Sequence, residues 1–299
     1  MTVVGVDVGG TSTIAVAVAP DGASIEVNGP GANLRSSSDS LERVLTDCFT
    51  ELARRGVWPS AGCIGVAGSD AAMDVVTAAA NAAWCAAGWS GTPIVETDLT
   101  IAFRAGAEPD GLLLLSGTGA GAALFTDGAC VSRADGMGWL LGDIGSAVWL
   151  GTRALQAVAA DLDRRGPATA LTQPVFDRVA DPSSTTDDPR RALVAGAYAL
   201  QPAAYGRLAP LVVDAAEAGD VVAQAIVTKA VDGLLNTAHA AARDVRPQSV
   251  VLAGSVLAAH STLAQQVEQR VREEFGVVPV VVTRPVVGAL RVAGETRSS

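Results

Sequence analysis

The stretch VVGVDVGGTST, residues 3–13, decides the fold because it joins an apolar strand to a loop of glycine and hydroxyl residues. After it come an apolar run at 14–18, an Asp-Gly turn at 21–22 and a third strand at 24–27. The order returns later as a run at 112–115, the loop SGTGAG at 116–121, a run at 122–125, an Asp-Gly turn at 127–128 and a run at 129–132. This repeat predicts two lobes built on the same strand and loop pattern.

Each copy is followed by alternating helix and strand patterns, which predict parallel strands with crossover helices and an α/β fold. In the first lobe, apolar residues at helical spacing cover 41–52, with Ser38 or Asp39 as the expected N-cap. In the second lobe, helices are expected near 147–163, 189–218, 221–243 and 257–275. We place the boundary near 106–110, which gives an N-terminal lobe of residues 1–108 and a C-terminal lobe of residues 109–299.

The composition excludes several classes of function. The 299 residues are 49% hydrophobic and carry a net charge of -10, which argues against nucleic acid or an anionic membrane as a partner. No signal-peptide pattern opens the chain, and no apolar run reaches the ~18 residues of a membrane span. The four cysteines form no Cys-x-x-Cys pair, which argues against zinc or iron–sulfur sites and favours free thiols in a reducing compartment. We therefore expect a cytoplasmic protein.

The two Gly/Thr loops suit phosphate binding, since Thr11, Ser12, Thr13 and Thr118 can donate to phosphoryl oxygens where glycine lets the backbone approach. Asp7 lies at the end of a buried strand, where Mg²⁺ with its waters would compensate its charge. The alternative is that both loops are ordinary hairpin turns. A Walker A sequence is absent, and a strand rather than a helix follows the first loop, so neither P-loop nor Rossmann binding is indicated.

Asp98 follows the apolar strand 93–97 and precedes a helical run, which places it at the carboxyl edge of a parallel sheet. There it could act as the general base for a substrate hydroxyl in phosphoryl transfer, or simply cap the helix. A third cluster, GMGWLLGDIGS at 136–146, combines glycines with an acid and a tryptophan and suits a polyhydroxylated ligand, or is a structural turn. The Gly254-Ser255 turn could support adenine or ribose. Lys229 is interpreted as a solvated charge on a helix.

Five motifs together resemble the BadF/BadG/BcrA/BcrD-type ATPases, which include amino-sugar kinases of the sugar kinase/Hsp70/actin superfamily. They are DVGGTST at 7–13, SGTGAG at 116–121, GDIGS at 142–146, GD at 219–220 and AGSV at 253–256. The resemblance implies two ribonuclease-H-like lobes of the actin-like ATPase fold with a ligand cleft between them. It also implies ATP and Mg²⁺ as cofactors and an amino sugar as substrate. A homodimer is compatible with the resemblance.

The residues and the resemblance together assign the site. Asp98 is the expected catalytic base, which binds the sugar 6-hydroxyl and accepts its proton, and Asp7 is expected to hold Mg²⁺ through water. The expected sugar-binding residues are Asn33, Asp98, Ala120, Gly121, Gly138, Trp139 and Asp143. The expected ATP-binding residues are Gly9, Gly10, Thr11, Ser12, Thr13, Thr118, Gly119, Gly219, Gly254 and Ser255.

Two departures from the mammalian N-acetylglucosamine kinase pattern bear on the substrate. Ile144 replaces a glutamate, and Leu34-Arg35 replaces a His-Trp pair. A free ammonium at C2 would be favoured by a nearby carboxylate and an acidic field, so glucosamine is expected before N-acetylglucosamine. An ATP-driven activator of a partner enzyme and a non-catalytic binding module are the more distant alternatives.

Overall fold

The computed structural model of the protein describes residues 2–32, 40–69, 72–106, 109–180 and 188–295. The strands are β1 (Val3–Val8), β2 (Ser12–Val18), β3 (Ser24–Pro30), β4 (Ala61–Val66), β5 (Ile94–Thr97), β6 (Gly111–Ser116), β7 (Ala120–Thr126), β8 (Ala129–Asp135), β9 (Val250–Ala253) and β10 (Val280–Val282). The α-helices are α1 (Leu41–Arg54), α2 (Met73–Ala86), α3 (Asp98–Gly106), α4 (Ala147–Leu162), α5 (Thr172–Val179), α6 (Pro189–Ala199), α7 (Ala209–Glu217), α8 (Val221–Ala242), α9 (Thr262–Phe275) and α10 (Val286–Glu295).

The strands form two five-stranded sheets with the same internal order. One sheet has the order β3-β2-β1-β4-β5, and the other, counted from its β8 edge, has the order β8-β7-β6-β9-β10. In the first sheet β1, β2 and β3 are antiparallel neighbours, whereas β4 and β5 run parallel to β1. The repeated strand pattern predicted from the sequence is therefore present as a repeated sheet topology.

The described residues divide into two compact units. Unit 1 takes them from Met1–Leu113, Thr126–Cys130 and Val282–Ser299, and unit 2 from Leu114–Phe125 and Val131–Val281. The expected C-terminal lobe of residues 109–299 thus includes a final segment that belongs to unit 1. The reason is packing: Ala289 and Ala293 of α10 lie in one buried apolar cluster with Cys63 of β4 and Ile101 of α3.

The face of the first sheet that lies away from α10 packs against α1 and α2 and forms a buried apolar core with them. Phe49, Trp84 and Trp89 form its aromatic centre, with ring centroids 4.7 to 5.6 Å apart. Each indole N–H is satisfied, because Trp84 donates to the oxygen of Ser90 and Trp89 donates to that of Val57. Well-packed aromatic rings hold the strands that carry the site residues in a fixed position.

Two helix predictions needed correction. The helix expected over 189–218 is α6, a 3₁₀ helix over Pro202–Leu208 and α7, because Leu200 and Gln201 are extended ahead of Pro202. The helix expected from residue 257 begins at Thr262, where the Ser261 hydroxyl accepts the N–H of Ala264. The cap of α1 is Ser40, and the two expected cap residues before it lie outside the described residues.

Candidate active site

The loop between β1 and β2 is a tight hairpin turn that is fixed by backbone hydrogen bonds. The N–H of Gly9 donates to the oxygen of Ser12 at 2.9 Å, and the N–H of Ala32 donates to the oxygen of Gly9 at 3.2 Å. The turn therefore lies against the end of β3, immediately before Asn33, which is outside the described residues. Gly10 continues the turn and is partly exposed.

The hydroxyl residues of this turn differ in their surroundings. Thr11 and Ser12 are exposed, so their hydroxyl groups can reach a ligand. Thr13 is buried, and its hydroxyl donates to the oxygen of Pro30 at 2.8 Å. Donation to phosphate by side chains in this turn therefore rests on Thr11 and Ser12, while Thr13 joins β2 to β3.

Asp7 faces a partner strand on each side, with Ile14 on β2 and Gly65 on β4 opposite it. Burial raises the pKa of its carboxyl from 3.8 to about 6. Within the part of the chain that the structure describes, its carboxylate has neither a hydrogen bond nor an ion pair. A buried, uncompensated carboxylate fits a hydrated divalent cation, and no cluster of three or more His, Cys, Asp or Glu side chains among the described residues offers an alternative metal site.

Asp98 is the first residue of α3, directly after β5. The cap of this helix is made by Thr97, whose hydroxyl oxygen accepts the N–H of Thr100 at 3.1 Å. Thr97 is therefore the N-cap, because its hydroxyl accepts the N–H of the third helical residue. The helix does not depend on the Asp98 side chain for this capping bond. The position at the carboxyl edge of parallel strands, expected from the sequence, is present.

Glu96 is a candidate residue that the sequence reasoning missed. Asp7, Gly65 and Glu96 stand opposite one another on β1, β4 and β5, so both acids point to the same face of the sheet. Gly65 leaves room there for Ile101, because a Cβ at residue 65 would collide with the isoleucine side chain. Burial raises the pKa of the Glu96 carboxyl, and a hydrogen bond from Thr100 opposes that shift. The sequence feature that could have indicated Glu96 is an acidic residue within a short predicted strand.

In unit 2, the loop after β6 packs against the turn after β9. The oxygen of Ser116 accepts the N–H of Val256 at 2.9 Å, and the N–H of Gly117 donates to the oxygen of Gly119 at 2.8 Å. A Cβ at Gly254, whose φ is +91°, would collide with the backbone of Ser116. The structure therefore brings Ser116 and Gly117, the two residues before Thr118, against Gly254 and Ser255.

The N-terminus of α4 lies beside the same loop. The N–H of Ala147 donates to the oxygen of Gly117 at 2.8 Å, and the Ser146 hydroxyl caps the helix by accepting the N–H of Trp149. The Ser116 hydroxyl donates to the oxygen of Gly145 at 2.9 Å. A helix N-terminus next to a Gly/Thr loop provides positive potential where phosphate is expected.

The loop over 136–145 is organised by two aspartates in the left-handed region, Asp135 with φ +59° and Asp143 with φ +55°. The Asp135 carboxylate accepts the N–H of Asp143 at 2.7 Å and that of Ile144 at 3.1 Å. Asp143 is 7% exposed, and its carboxylate accepts the N–H of Gly138 at 3.3 Å. Asp135 had no role in the sequence reasoning, because it stands before the glycine cluster at the end of β8.

The remaining residues expected at the sugar also meet around this loop. The N–H of Gly136 donates to the oxygen of Ala120 at 2.9 Å, and a Cβ at Gly121 would lie 3.1 Å from the nitrogen of Gly136. A Cβ at Gly119 would lie 3.0 Å from the Asp143 carboxylate. Trp139 lies on the loop with 48% of its surface exposed. Five of the seven expected sugar residues are therefore found around one loop of unit 2: Ala120, Gly121, Gly138, Trp139 and Asp143.

Gly219 forms the turn between α7 and α8, with φ +94°. Asp220 caps α8 by accepting the N–H of Ala223 at 2.8 Å. Glu217 accepts the N–H and the hydroxyl of Thr262 at 3.0 and 2.7 Å, which connects this turn to the start of α9. The turn that holds Gly219 is therefore joined to the start of α9, and not to the Gly254-Ser255 turn itself.

None of the described helices has the length and apolar character needed to cross a membrane. None of the four cysteines forms a disulfide: Cys48 and Cys63 are buried, whereas Cys85 and Cys130 are exposed. Burial raises the pKa of the Cys63 thiol, and the neighbouring Glu96 raises it further.

The chain is similar to kinases of amino sugars. It is 30% identical over 182 residues to the N-acetylmuramic acid/N-acetylglucosamine kinase of Clostridium acetobutylicum, a match that covers 58% of this chain and 59% of that protein. It is 26% identical over 251 residues to the N-acetyl-D-glucosamine kinase of Dictyostelium discoideum, covering 77% of this chain and 76% of that one. The match therefore spans less than two thirds of the length of the first of these relatives.

Among solved structures, a Chromobacterium violaceum protein assigned as an N-acetylglucosamine kinase superposes with a TM-score of 0.76. The sequence identity is 25%, and 98% of each chain is covered. This similarity confirms the predicted α/β fold of the actin-like type with two lobes. The sequence profile of the BadF/BadG/BcrA/BcrD ATPase family matches residues 4–293, and the chain belongs to that family.

Proposed function

We propose that the protein transfers the γ-phosphoryl group of ATP to the 6-hydroxyl of an amino sugar, most readily glucosamine. The observation that carries the proposal is the position of Asp98 after β5, in a helix that Thr97 already caps. Family membership and two relatives named as amino-sugar kinases support the same reaction class. ATP is the phosphoryl donor of this proposal.

In this reaction Asp98 binds the sugar 6-hydroxyl and accepts its proton as the oxygen attacks phosphorus. Asp7 would hold Mg²⁺ through water, and when bound the ion neutralises charge that develops on the phosphoryl oxygens. In unit 1, phosphate is contacted by the hydroxyl groups of Thr11 and Ser12 and by the backbone of Gly10. Gly9 keeps the shape of this turn, because its N–H and its oxygen are both bonded within it. Thr13 keeps the shape of that turn through its bond to the end of β3.

In unit 2, the phosphates are contacted by Thr118 and Gly119, next to the N-terminus of α4. Gly219, Gly254 and Ser255 bind the adenosine part. The sugar hydroxyls bind to the Asp143 carboxylate, which the N–H of Gly138 orients, with Ala120 and Gly121 beneath the ring and Trp139 beside it. Asn33, which lies outside the described residues, is the remaining residue proposed for the sugar. Positioning of both substrates and electrostatic stabilisation are the main contributions that phosphoryl transfer needs from a protein.

One feature favours glucosamine over N-acetylglucosamine, and one departure weakens the match to the N-acetylglucosamine kinases. Where their mammalian pattern has a glutamate, this chain has Ile144, whose side chain lies against Gly233 of α8. Asp135 and Asp143 place two negative charges in the same loop of a chain with net charge -10, and this field attracts a C2 ammonium. N-acetylglucosamine is the second candidate, because the relatives that match this chain are named for it.

An alternative function of a different class is ATP-driven activation of a partner enzyme through an iron–sulfur cluster. Such a cluster needs closely placed thiolates. None of the four cysteines forms a disulfide, and no group of three metal-binding side chains occurs in the described part of the chain. Cysteines without disulfides fit a reducing compartment, so we propose a cytoplasmic location. Iron analysis of the purified protein separates the two functions, and we expect none.

The test is ADP release measured with glucosamine, N-acetylglucosamine and glucose, each with and without Mg²⁺. We expect the highest kcat/KM with glucosamine and dependence on Mg²⁺ for every active sugar. Asp98→Asn serves as the inactive control and Asp74→Asn, an exposed acid in the first turn of α2, as the matched active control. A higher kcat/KM with N-acetylglucosamine would select the second candidate. Absence of sugar-stimulated ADP release would contradict the kinase proposal.

A further inference from the structure

A cavity of about 460 Å³ lies within unit 2, between one face of α4 and the N-terminal half of α8. Its volume is in the range of small-molecule sites. None of the residues proposed for ATP or the sugar lines it. The lining residues are Trp149, Arg153, Ala157, Pro167, Val221, Val222, Ala225, Ile226 and Lys229.

The only charged residues of this lining are two cations. Lys229 is the single lysine of the sequence, and within the described residues it makes no ion pair or hydrogen bond. Arg153 stacks over the ring of Trp149 at 4.9 Å and donates to the Gln156 side chain at 2.7 Å, but the described residues offer it no carboxylate. In a chain with ten more negative than positive charges, two uncompensated cations on one cavity favour an anionic ligand.

The acid that precedes this lining does not neutralise the cations. Asp220 accepts the hydroxyl of Thr169 at 3.0 Å, the N–H of Ala170 at 2.7 Å and the N–H of Ala223 at 2.8 Å. Its carboxylate is therefore committed to the cap of α8. The cavity begins at the first turn of that helix, where the Asp220 charge offsets the positive end of the helix dipole, so the positive charge of the cavity comes from Arg153 and Lys229.

The rest of the lining is apolar. Val221 is 68% exposed, and Val222, Ala225 and Ile226 continue the same face of α8 opposite the Trp149 ring. A ligand with only a charged group would leave these side chains in water, whereas an apolar or aromatic body would cover them. We propose that this cavity binds a small organic anion, a molecule with one acidic group and an apolar or aromatic body. The proposal is independent of the kinase activity.

The first experiment titrates the full-length protein with 8-anilinonaphthalene-1-sulfonate, an aromatic sulfonate of this class. We expect saturable binding that weakens about tenfold in Arg153→Gln and in Lys229→Gln, the loss typical of one hydrogen bond to a charged group. Ala225→Phe, which fills the cavity and leaves both cations, should also weaken binding. Arg178→Gln, an exposed arginine on α5, is the matched control and should bind as the wild type does.

The dye also adheres to exposed apolar surface, so a second measurement localises it. Lys229 carries the only side-chain amine, and its acetylation by an N-hydroxysuccinimide ester can be followed by peptide mass spectrometry. We expect the sulfonate to slow acetylation of Lys229 and ATP to leave it unchanged. Unaltered dye affinity in the Arg153 and Lys229 variants, absence of protection, or protection by ATP in place of the sulfonate would overturn the proposal.

Discussion

Unit 1 and unit 2 share a strand order but differ in how they hold their acidic side chains. In unit 1, burial raises the pKa of both Asp7 and Glu96, and the described residues offer Asp7 no donor. In unit 2, the Asp135 carboxylate accepts two backbone N–H groups, and Asp143 accepts that of Gly138. The Asp7 carboxylate of unit 1 is thus without a donor among the described residues, whereas the carboxylates of the unit 2 loop accept backbone N–H groups.

This difference indicates that the acidic side chains of the two units have different roles. A carboxylate without donors is costly for folding, but it can take a cation or a proton during a reaction. A carboxylate that holds two N–H groups fixes the loop around it and so favours rigid binding of a ligand. We therefore expect substitutions in unit 1 to affect turnover and substitutions in the 136–145 loop to affect sugar binding. The following predictions test that distinction.

The largest expected effect is that of Asp98→Asn. The amide cannot accept the proton of the sugar hydroxyl, so kcat should fall by about 10³-fold, within the usual range for loss of a general base. The free energy of unfolding should change far less than the activation barrier, because asparagine keeps the shape of Asp98 and Thr97 makes the cap bond of α3. Steady-state kinetics and urea unfolding measure the two quantities. Turnover close to that of the wild type would remove Asp98 from its role.

The next effect is expected for Asp135→Asn. The amide keeps one acceptor but places an NH₂ group against a backbone N–H of Asp143 or Ile144, so the loop loses its fixed geometry. The KM for the sugar should rise about tenfold, as for loss of one charged hydrogen bond, with the KM for ATP unchanged. Asp127→Asn, an aspartate with φ +50° in the turn between β7 and β8, is the control. An equal rise in both KM values would argue against a specific role for the loop.

A smaller effect is expected for Thr97→Ala, which removes the cap of α3. The loss should be about 1 kcal/mol in the free energy of unfolding, the usual cost of an N-cap hydroxyl. Because Asp98 is the next residue, kcat should fall as well, and Thr97→Ser should restore both quantities. Thr92→Ala, an exposed threonine before β5, provides the baseline in the same unfolding measurement. Equal stability of the two alanine variants would show that the bond to Thr100 does not hold the helix start.

The smallest effect concerns Glu96 and pH. Since burial raises the pKa of this carboxyl, the folded protein keeps a proton that the unfolded chain has already lost. The contribution of Glu96 to the free energy of unfolding therefore falls as pH rises above its ordinary pKa of 4.5. Glu96→Gln should be more stable than the wild type at about pH 7.5, and the gain should shrink at about pH 4. A gain that does not depend on pH would contradict this explanation.

The strands and loops of both sheets were predictable because their signals are local. Apolar runs bounded by Gly and Asp-Gly turns mark β1 to β3 and β6 to β8, and the repeat makes each copy support the other. Asp98 could be found from its place after a strand. The packing of α10 on unit 1 could not be predicted in this way, because it depends on contacts of Ala289 and Ala293 with residues far away in the sequence.

Other parts of the site depend on three-dimensional contacts in the same way. Asp135 acts through backbone N–H groups eight and nine residues later, and Glu96 gains its surroundings from the register of β4 and β5. The commitment of the Thr13 hydroxyl to Pro30 likewise follows from strand pairing between β2 and β3. Sequence patterns indicate which residue types are available, whereas pairing decides which of their groups remain open to a ligand.

The most direct test of the account is to identify the product that the protein forms from ATP and glucosamine. Phosphorus and carbon NMR of the reaction mixture locates the phosphoryl group on the sugar. We predict a phosphate ester at O6 with the wild-type protein and no detectable ester with Asp98→Asn over the same period. An ester at another oxygen, no ester, or equal product from the variant would contradict the assignment of Asp98 as the base for a 6-hydroxyl.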